Sequence, residues 1–246
     1  MNRYYYDLHV HSCLSPCGDN DNTPNNLAGM AAVKGLQVLA LTDHNTCGNC
    51  PAFYAACKKQ GIIPIAGMEL TTAEDIHLVC LFPSLEDAMA FHEAVQDHRI
   101  KIPNRPDIFG EQWILDEDDN PLGTEGYLLL NATDLSLEDA TALVTQMNGL
   151  AYPAHIDRDS NGIVATLGFF PDQPDFSCVE YREKAKQEEW EQRFPLLKNK
   201  PVVVSSDAHY LWDMNEPEHY FEVEDEPYSG DKVRGEIFRF LRGETL

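Results

Sequence analysis

The stretch Asp7-Leu8-His9-Val10-His11 decides how this chain is read. Leu8 and Val10 are apolar, as a buried strand needs. Side chains alternate along a strand, so His9 and His11 point to one face. Two imidazoles side by side at a strand end are half of a metal site, histidine being the commonest metal ligand. A single His-x-His is as readily a pair of satisfied histidines. Repetition of the device along the chain turns the reading toward metal.

Outward from that strand, Ser12 to Asn22 is a loop of small and polar residues, and Thr23-Pro24 opens a helix as N-cap and first helical residue. Gly35 closes that helix. Leu36 to Leu41 is a short apolar strand delivering Thr42-Asp43-His44-Asn45-Thr46. A helix from Pro51 to Gln60, closed by Gly61, leads into Ile62 to Ala66 and then Gly67-Met68-Glu69. This β-α-β-α-β rhythm implies parallel strands with right-handed crossovers. In such folds the chemistry sits at the C-terminal ends of strands.

Ile76 to Phe82 is a further strand with His77 near its start, and Ser84-x-x-Asp87 caps a helix running to about His98. Residues 99–134 break the rhythm with three prolines and the acidic run Asp116 to Asp119, and read as an insertion with a hairpin near Asn120-Pro121. Ser136-x-x-Asp139 caps a helix ending at Gly149, and Leu150 to Ala154 delivers His155-Ile156-Asp157-Arg158. Ser177 to Tyr181 is a strand, and Pro201 to Ser205 delivers Ser206-Asp207-Ala208-His209. A late strand over 219–223 and an amphipathic helix over 232–242 complete the pattern, read as one domain over 1–246.

Net charge is −23, from 41 acids against 18 bases. Binding to a nucleic-acid backbone runs on clustered Lys and Arg, so no stable nucleic-acid partner is expected. Bound divalent cations would reverse the local potential, which leaves an anionic substrate open. No run reaches membrane-span length and the start is unlike a signal peptide. Seven cysteines, an odd number, suggest a reducing, cytoplasmic setting.

Six of the nine histidines (9, 11, 44, 77, 155 and 209) lie at or beside strand ends, as do Glu69 and Asp207. That set exceeds what one ion needs and points to two or three divalent ions sharing a carboxylate. His9-x-His11, Thr42-Asp43-His44-Asn45-Thr46, Gly67-x-Glu69, Pro153-Ala154-His155 and Ser206-Asp207-Ala208-His209 together resemble the PHP (polymerase and histidinol phosphatase) family. The resemblance implies a distorted (β/α)7 barrel that hydrolyses phosphate esters with up to three metal ions. It places His9, His11, Glu69 and Asp207 on one ion. A second falls to a loop acid, His44 and His209, and a third to Glu69, His77 and His155 with Glu69 bridging. Counting back from Thr23-Pro24 selects Asp19 as the loop acid, with Asp21 as its rival.

Asp43 is read as orienting a histidine or capping its turn. Arg158 is read as a phosphate clamp, against a surface ion pair with Asp157 or Asp159. Cys47-Gly48-Asn49-Cys50 has metal-knuckle spacing that Cys13 and Cys17 could complete, but loop packing is the preferred reading. His92, His98 and His219 are read as non-catalytic, and 167–171 as a segment that could cover the site.

The expectation is therefore a phosphoesterase using metal-activated hydroxide, with Zn, Mn or Fe as metal and a small phosphate monoester or nucleotide as substrate. The rivals are a metallohydrolase of amide bonds and a non-catalytic metal-binding domain.

Overall fold

The computed structural model describes residues 1–244. Its strands are β1 (Asn2–Val10), β2 (Val38–Leu41), β3 (Ile63–Thr71), β4 (His77–Phe82), β5 (Trp113–Leu115), β6 (Pro121–Thr124), β7 (Leu150–Pro153), β8 (Val179–Tyr181), β9 (Val202–Val204) and β10 (Tyr220–Val223). Its helices are α1 (Pro24–Lys34), α2 (Cys50–Gln60), α3 (Leu85–Gln96), α4 (Pro106–Phe109), α5 (Leu137–Gln146), α6 (Ile163–Leu167), α7 (Gln187–Arg193) and α8 (Gly230–Leu241).

β1, β2 and β3 pair in parallel, with Tyr6 opposite Val38 and Val38 opposite Ile63. β4 then turns back, antiparallel to both β3 and β7. The reason is chain length: only residues 72–76 separate β3 from β4, whereas a parallel crossover needs about a dozen. β8 and β9 are again parallel. The Ile156 N–H donates to the Glu180 carbonyl at 2.9 Å, and Val10 bridges Ala208. The ring thus runs β1-β2-β3-β4-β7-β8-β9, a distorted (β/α)7 barrel in which reversed β4 is one distortion. β10 lies outside it, antiparallel to the start of β1.

Two apolar cores support the ring. Leu27, Phe53, Phe91 and Val144 fill the layer between strands and outer helices. Leu8, Ala40, Ile65, Val79, Tyr152 and Val203 form the other, with Val233, Ile237 and Leu241 of α8. The Arg234 guanidinium of α8 donates to the Pro64 carbonyl at 2.9 Å, which places α8 at the N-terminal end of β3. The opposite end is left for chemistry.

Local signals act as read. Thr23 caps α1, Gly35 and Gly61 are left-handed C-caps, and Ser84 and Ser136 accept from the Asp87 and Asp139 N–H groups. Gly149 serves differently from a cap, since α5 ends at Gln146 with Met147 as its C-cap. A Cβ at Gly149 would lie 2.5 Å from the Phe82 ring, so close packing demands glycine there. The 167–171 segment is pinned by Phe170, buried in the outer core, while Phe169 is exposed.

Residues 99–134 form the expected insertion, with β5 and β6 as a hairpin. It is bolted to the mouth of the barrel: Asn49 pairs with Trp113 and Leu115, and the Asn45 amide donates to the Leu129 and Asn131 carbonyls. The acidic run is more than a solvated loop, because Asp119 accepts from the Thr23 hydroxyl at 2.6 Å and the Asn25 amide at 2.9 Å. A carboxylate there suits the N-terminus of α1. No helix among the described residues is long and apolar enough to cross a membrane.

Candidate metal centre

Glu69, near the end of β3, is the hub of the strand-end cluster. Its Oε1 lies 2.7 Å from His77 Nδ1, 3.2 Å from His155 Nε2 and 3.3 Å from His9 Nε2. Its Oε2 lies 3.0 Å from His44 Nδ1 and 3.3 Å from His11 Nε2. Reversal of β4 explains how His77 arrives: the first residue of an antiparallel strand sits level with the last residues of its neighbours, and Thr71 faces His77. Asp207 completes the inner wall, its Oδ1 lying 3.1 Å from His11 Nε2 and 3.5 Å from His9 Nε2.

Three groups of ligand atoms converge closely enough to hold an ion: His9, His11, Glu69 and Asp207; His11, His44 and His209; and His44, Glu69 and His77. The approaches of His44 Nδ1 and His77 Nδ1 to Glu69 are short but lack hydrogen-bond geometry, so these two nitrogens and Glu69 Oε2 are left unpaired although buried. Buried polar atoms are ordinarily paired, so these call for a missing partner. A nitrogen and oxygen donor set of this kind fits divalent cations.

The imidazoles are aimed from behind. His9 Nδ1 lies 2.9 Å from Glu180 Oε1, which also accepts the His155 N–H at 3.0 Å. That contact leaves His9 Nε2 facing inward, as second partners of metal-ligating histidines do. His11 Nδ1 lies 3.0 Å from the Ser15 hydroxyl, and that hydroxyl donates to Asp43 at 2.7 Å. Asp43 also accepts from the Ser12 N–H and hydroxyl, so it acts on the cluster through serine and does not enter it. His155 and Asp207 have φ of 29° and 51°, left-handed conformations costing about 1–3 kcal/mol each that the surrounding bonds must hold.

Electrostatics follow from burial and the shared carboxylates. Burial alone would lower the pKa of His9, but Glu180, Glu69 and Asp207 outweigh it and raise it well above the usual value. Burial likewise opposes protonation of His11 and His44, yet Asp207 and Glu69 push His11 up to about 9, and chiefly Glu69 pushes His44 up to about 9. His209 is driven down to about 3 by burial and by the His11 cation. Burial also outweighs Glu69 at His77 and lowers it. Glu69 and Asp207 are held below the usual carboxylate range, since burial is overcome by the imidazoles around them. Without metal, protons on the imidazoles balance the acids.

Asp19 is placed elsewhere. Its carboxylate accepts the Asp21 N–H at 2.8 Å, its own N–H donates to the His209 carbonyl, and neither it nor exposed Asp21 belongs to a converging group. A turn within the loop consumes the acid. Arg158 pairs with neither Asp157 nor Asp159; its Nη1 lies 2.6 Å from Asp207 Oδ2, and Arg182 Nη1 lies 3.4 Å from the same oxygen. Among the described residues no cysteine joins a converging group, and the Cys47 thiol is spent on the Gly67 carbonyl at 3.2 Å. His92 accepts the Cys47 N–H, and His98 pairs with Asp134 at the surface.

A model of the PHP domain matches residues 7–160, more than half of the chain. The chain belongs to the PHP family. Its metal-binding cluster is that of a metal-dependent hydrolase fold. A 5'-3' exoribonuclease from Haemophilus influenzae is 39% identical over 79 residues, which cover 31% of this PHP chain and 28% of that relative. This chain therefore matches under a third of that relative's length. Among solved structures, endonuclease Q from Pyrococcus furiosus superposes with a TM-score of 0.63 at 17% identity, covering 98% of this chain and 56% of that one. A second endonuclease Q structure, with a 27-mer duplex substrate bearing an abasic lesion at its active site, gives 0.61 at 17% identity over 98% and 57%. A metal-dependent phosphoesterase assignment accompanies a Bifidobacterium adolescentis protein with a TM-score of 0.58 at 16% identity, covering 99% and 97%.

The expectation of no stable nucleic-acid backbone binding is corrected by the endonuclease Q complex, a protein of similar fold whose own active site holds a duplex. That expectation treated the net charge of −23 as if it were uniform. The potential at a site is local, and here two arginines stand at its rim. Sequence reading also missed Glu180, Ser15 and Arg182. Glu180 carried a signal: it is a carboxylate inside the apolar run Cys178-Val179-Glu180-Tyr181, fully buried in the fold. Such an acid needs a charged or donor partner. Glu180→Gln should weaken metal binding by about 10–100-fold with the circular dichroism unchanged. Calorimetric metal titration measures this, and an unaltered affinity would deny Glu180 that role.

Proposed function

We propose that this chain hydrolyses phosphate esters with two or three divalent ions, drawn from Zn, Mn and Fe, held by the strand-end cluster. His9, His11, Glu69 and Asp207 would hold one ion. His44 and His209 would hold a second beside His11. Glu69 with His77 and either His44 or His155 would hold a third. Divalent ions there supply a lowered pKa for coordinated water, from ~15.7 toward ~7, and offset charge on phosphoryl oxygens.

The observation that carries the phosphate reading is the division of labour within Asp207. Oδ1 faces the histidines, and Oδ2 faces Arg158 and Arg182, both about two-fifths exposed. A guanidinium pair at the mouth of a buried anionic cluster suits a phosphoryl group. Hydrolysis of an uncharged amide would leave that pair with no anionic group to bind. Arg158 and Arg182 would shift from Asp207 onto two phosphoryl oxygens, while Asp43 holds Ser15, and Ser15 holds His11, in register.

A small monoester, a nucleotide and a nucleic-acid strand share this chemistry, and the exoribonuclease and endonuclease relatives bring the last into the test. The protein loaded in turn with Zn, Mn or Fe is assayed for phosphate or nucleotide release from p-nitrophenyl phosphate, nucleotides and short oligonucleotides, with amides as control. Metal-dependent turnover of amides alone would overturn the proposal. Arg158→Ala and Arg182→Ala should each raise KM by about tenfold or more, as loss of a charged hydrogen bond of ~1.5–3 kcal/mol requires. An unchanged KM in steady-state kinetics would discard the clamp.

A further inference from the structure

The group formed by His11, His44 and His209 differs from the other two in containing no anionic ligand. The first loop is stretched across these three imidazoles. At one end the Ser15 hydroxyl meets the His11 ring at 3.0 Å and accepts the His44 N–H at 3.2 Å. At the other end the Asp19 N–H donates to the His209 carbonyl at 2.9 Å. Between them the chain turns tightly: the Gly18 N–H donates to the Ser15 carbonyl at 2.8 Å. A Cβ at Gly18 would lie 2.4 Å from the Ser12 carbonyl oxygen. The residue held over the imidazoles by this strap is Cys17.

The Cys17 side chain stands beside the His44 imidazole as a hydrogen-bonding neighbour. His44 is buried, and its Nδ1 faces Glu69 Oε2 at 3.0 Å without pairing to it. Cys17 is also unlike the other six cysteines, all of which are buried, since it is exposed. A thiol that only filled space would be enclosed like the rest.

We propose that Cys17, which lies beside but outside the converging group in the metal-free fold, closes onto the cation held by His44 and His209 and supplies it a thiolate, making that position a mixed nitrogen–sulfur site while the Glu69 positions keep nitrogen and oxygen donors. This rests on the metal reading of the cluster given above. A coordinating thiol loses its proton outright, so Cys17 contributes the negative charge that the three histidines lack. Sulfur favours Zn or Co over Mn, so the chain would bind unlike metals at neighbouring positions.

Cobalt(II) tests this without reference to turnover. Titrating the metal-free protein should produce visible ligand-field bands and a near-ultraviolet sulfur-to-cobalt charge-transfer band. Cys17→Ser should lose the charge-transfer band and keep ligand-field bands from the remaining positions. Cys17→Asp should restore full cobalt stoichiometry without the charge-transfer band. Iodoacetamide should alkylate Cys17 in the metal-free protein and fail to do so after zinc is added, read by mass spectrometry. Bound cobalt without the charge-transfer band, or a band that persists in Cys17→Ser, would overturn the thiolate and leave the metal centre standing. Failure of cobalt to bind at all would overturn both.

Discussion

Glu69→Gln is expected to strip the centre of metal and of activity together. The carboxylate lies within 3.3 Å of five imidazoles, and two of the three converging groups include it. The loss should exceed the roughly 10–100-fold that removal of an outer partner costs. The variant keeps the size of the side chain, so the barrel should persist. In the metal-free state, however, a neutral amide would leave buried imidazolium groups uncompensated, at a cost on the order of 3–5 kcal/mol. Elemental analysis of the purified variant, together with a melting curve, reads both effects. Full metal content with normal turnover would remove Glu69 from its central place.

The second large effect is a dependence of the metal-free protein on pH. The folded-state pKa values of His11 and His44 are raised from 6.5 to about 9, and that of His9 well above 6.5. Stability from these groups is fully present below about 6.5 and is lost as pH rises through about 9. Glu69 and Asp207 are depressed below 4.5 and 3.8, so their contribution is present above those values and is lost only as pH falls further. Without metal, the melting temperature should therefore fall between pH 6.5 and 9. Each of His11 and His44 contributes on the order of 3 kcal/mol over that window. Metal competes with the same protons, so its stabilising effect should be larger at pH 9 than at pH 6. Scanning calorimetry with and without added zinc measures both. A metal-free melting temperature that is flat or rising over this window would show that the imidazoles carry no extra protons.

Much of this architecture was readable from residues alone because the signals were local. Thr23, Gly35, Ser84 and Ser136 each work through partners within five residues. The candidate ligand histidines announce themselves by sitting at strand ends. What escaped depended on three-dimensional neighbours. Counting back from Thr23-Pro24 selects Asp19 as the loop acid that the resemblance implies, yet its carboxylate accepts a backbone N–H two residues away, outside every converging group. Arg182 and Glu180 reach the cluster from β8 and its exit, where no short motif marks them. The reversal of β4 could have been foreseen by counting, since five residues suffice for a hairpin and not for a crossover.

That reversal also predicts an order for the assembly of the centre. Glu69 and His77 are eight positions apart on one hairpin, and their approach closes only a short loop. His9 and Asp207 are separated by nearly two hundred residues, and their meeting requires the ring to shut. Closure entropy grows with the length of chain enclosed, and distant contacts form late. The hairpin half of the pocket should thus be in place early, with the first and last ligands joining at the final stitch, where an ion can fasten the two ends of the polypeptide.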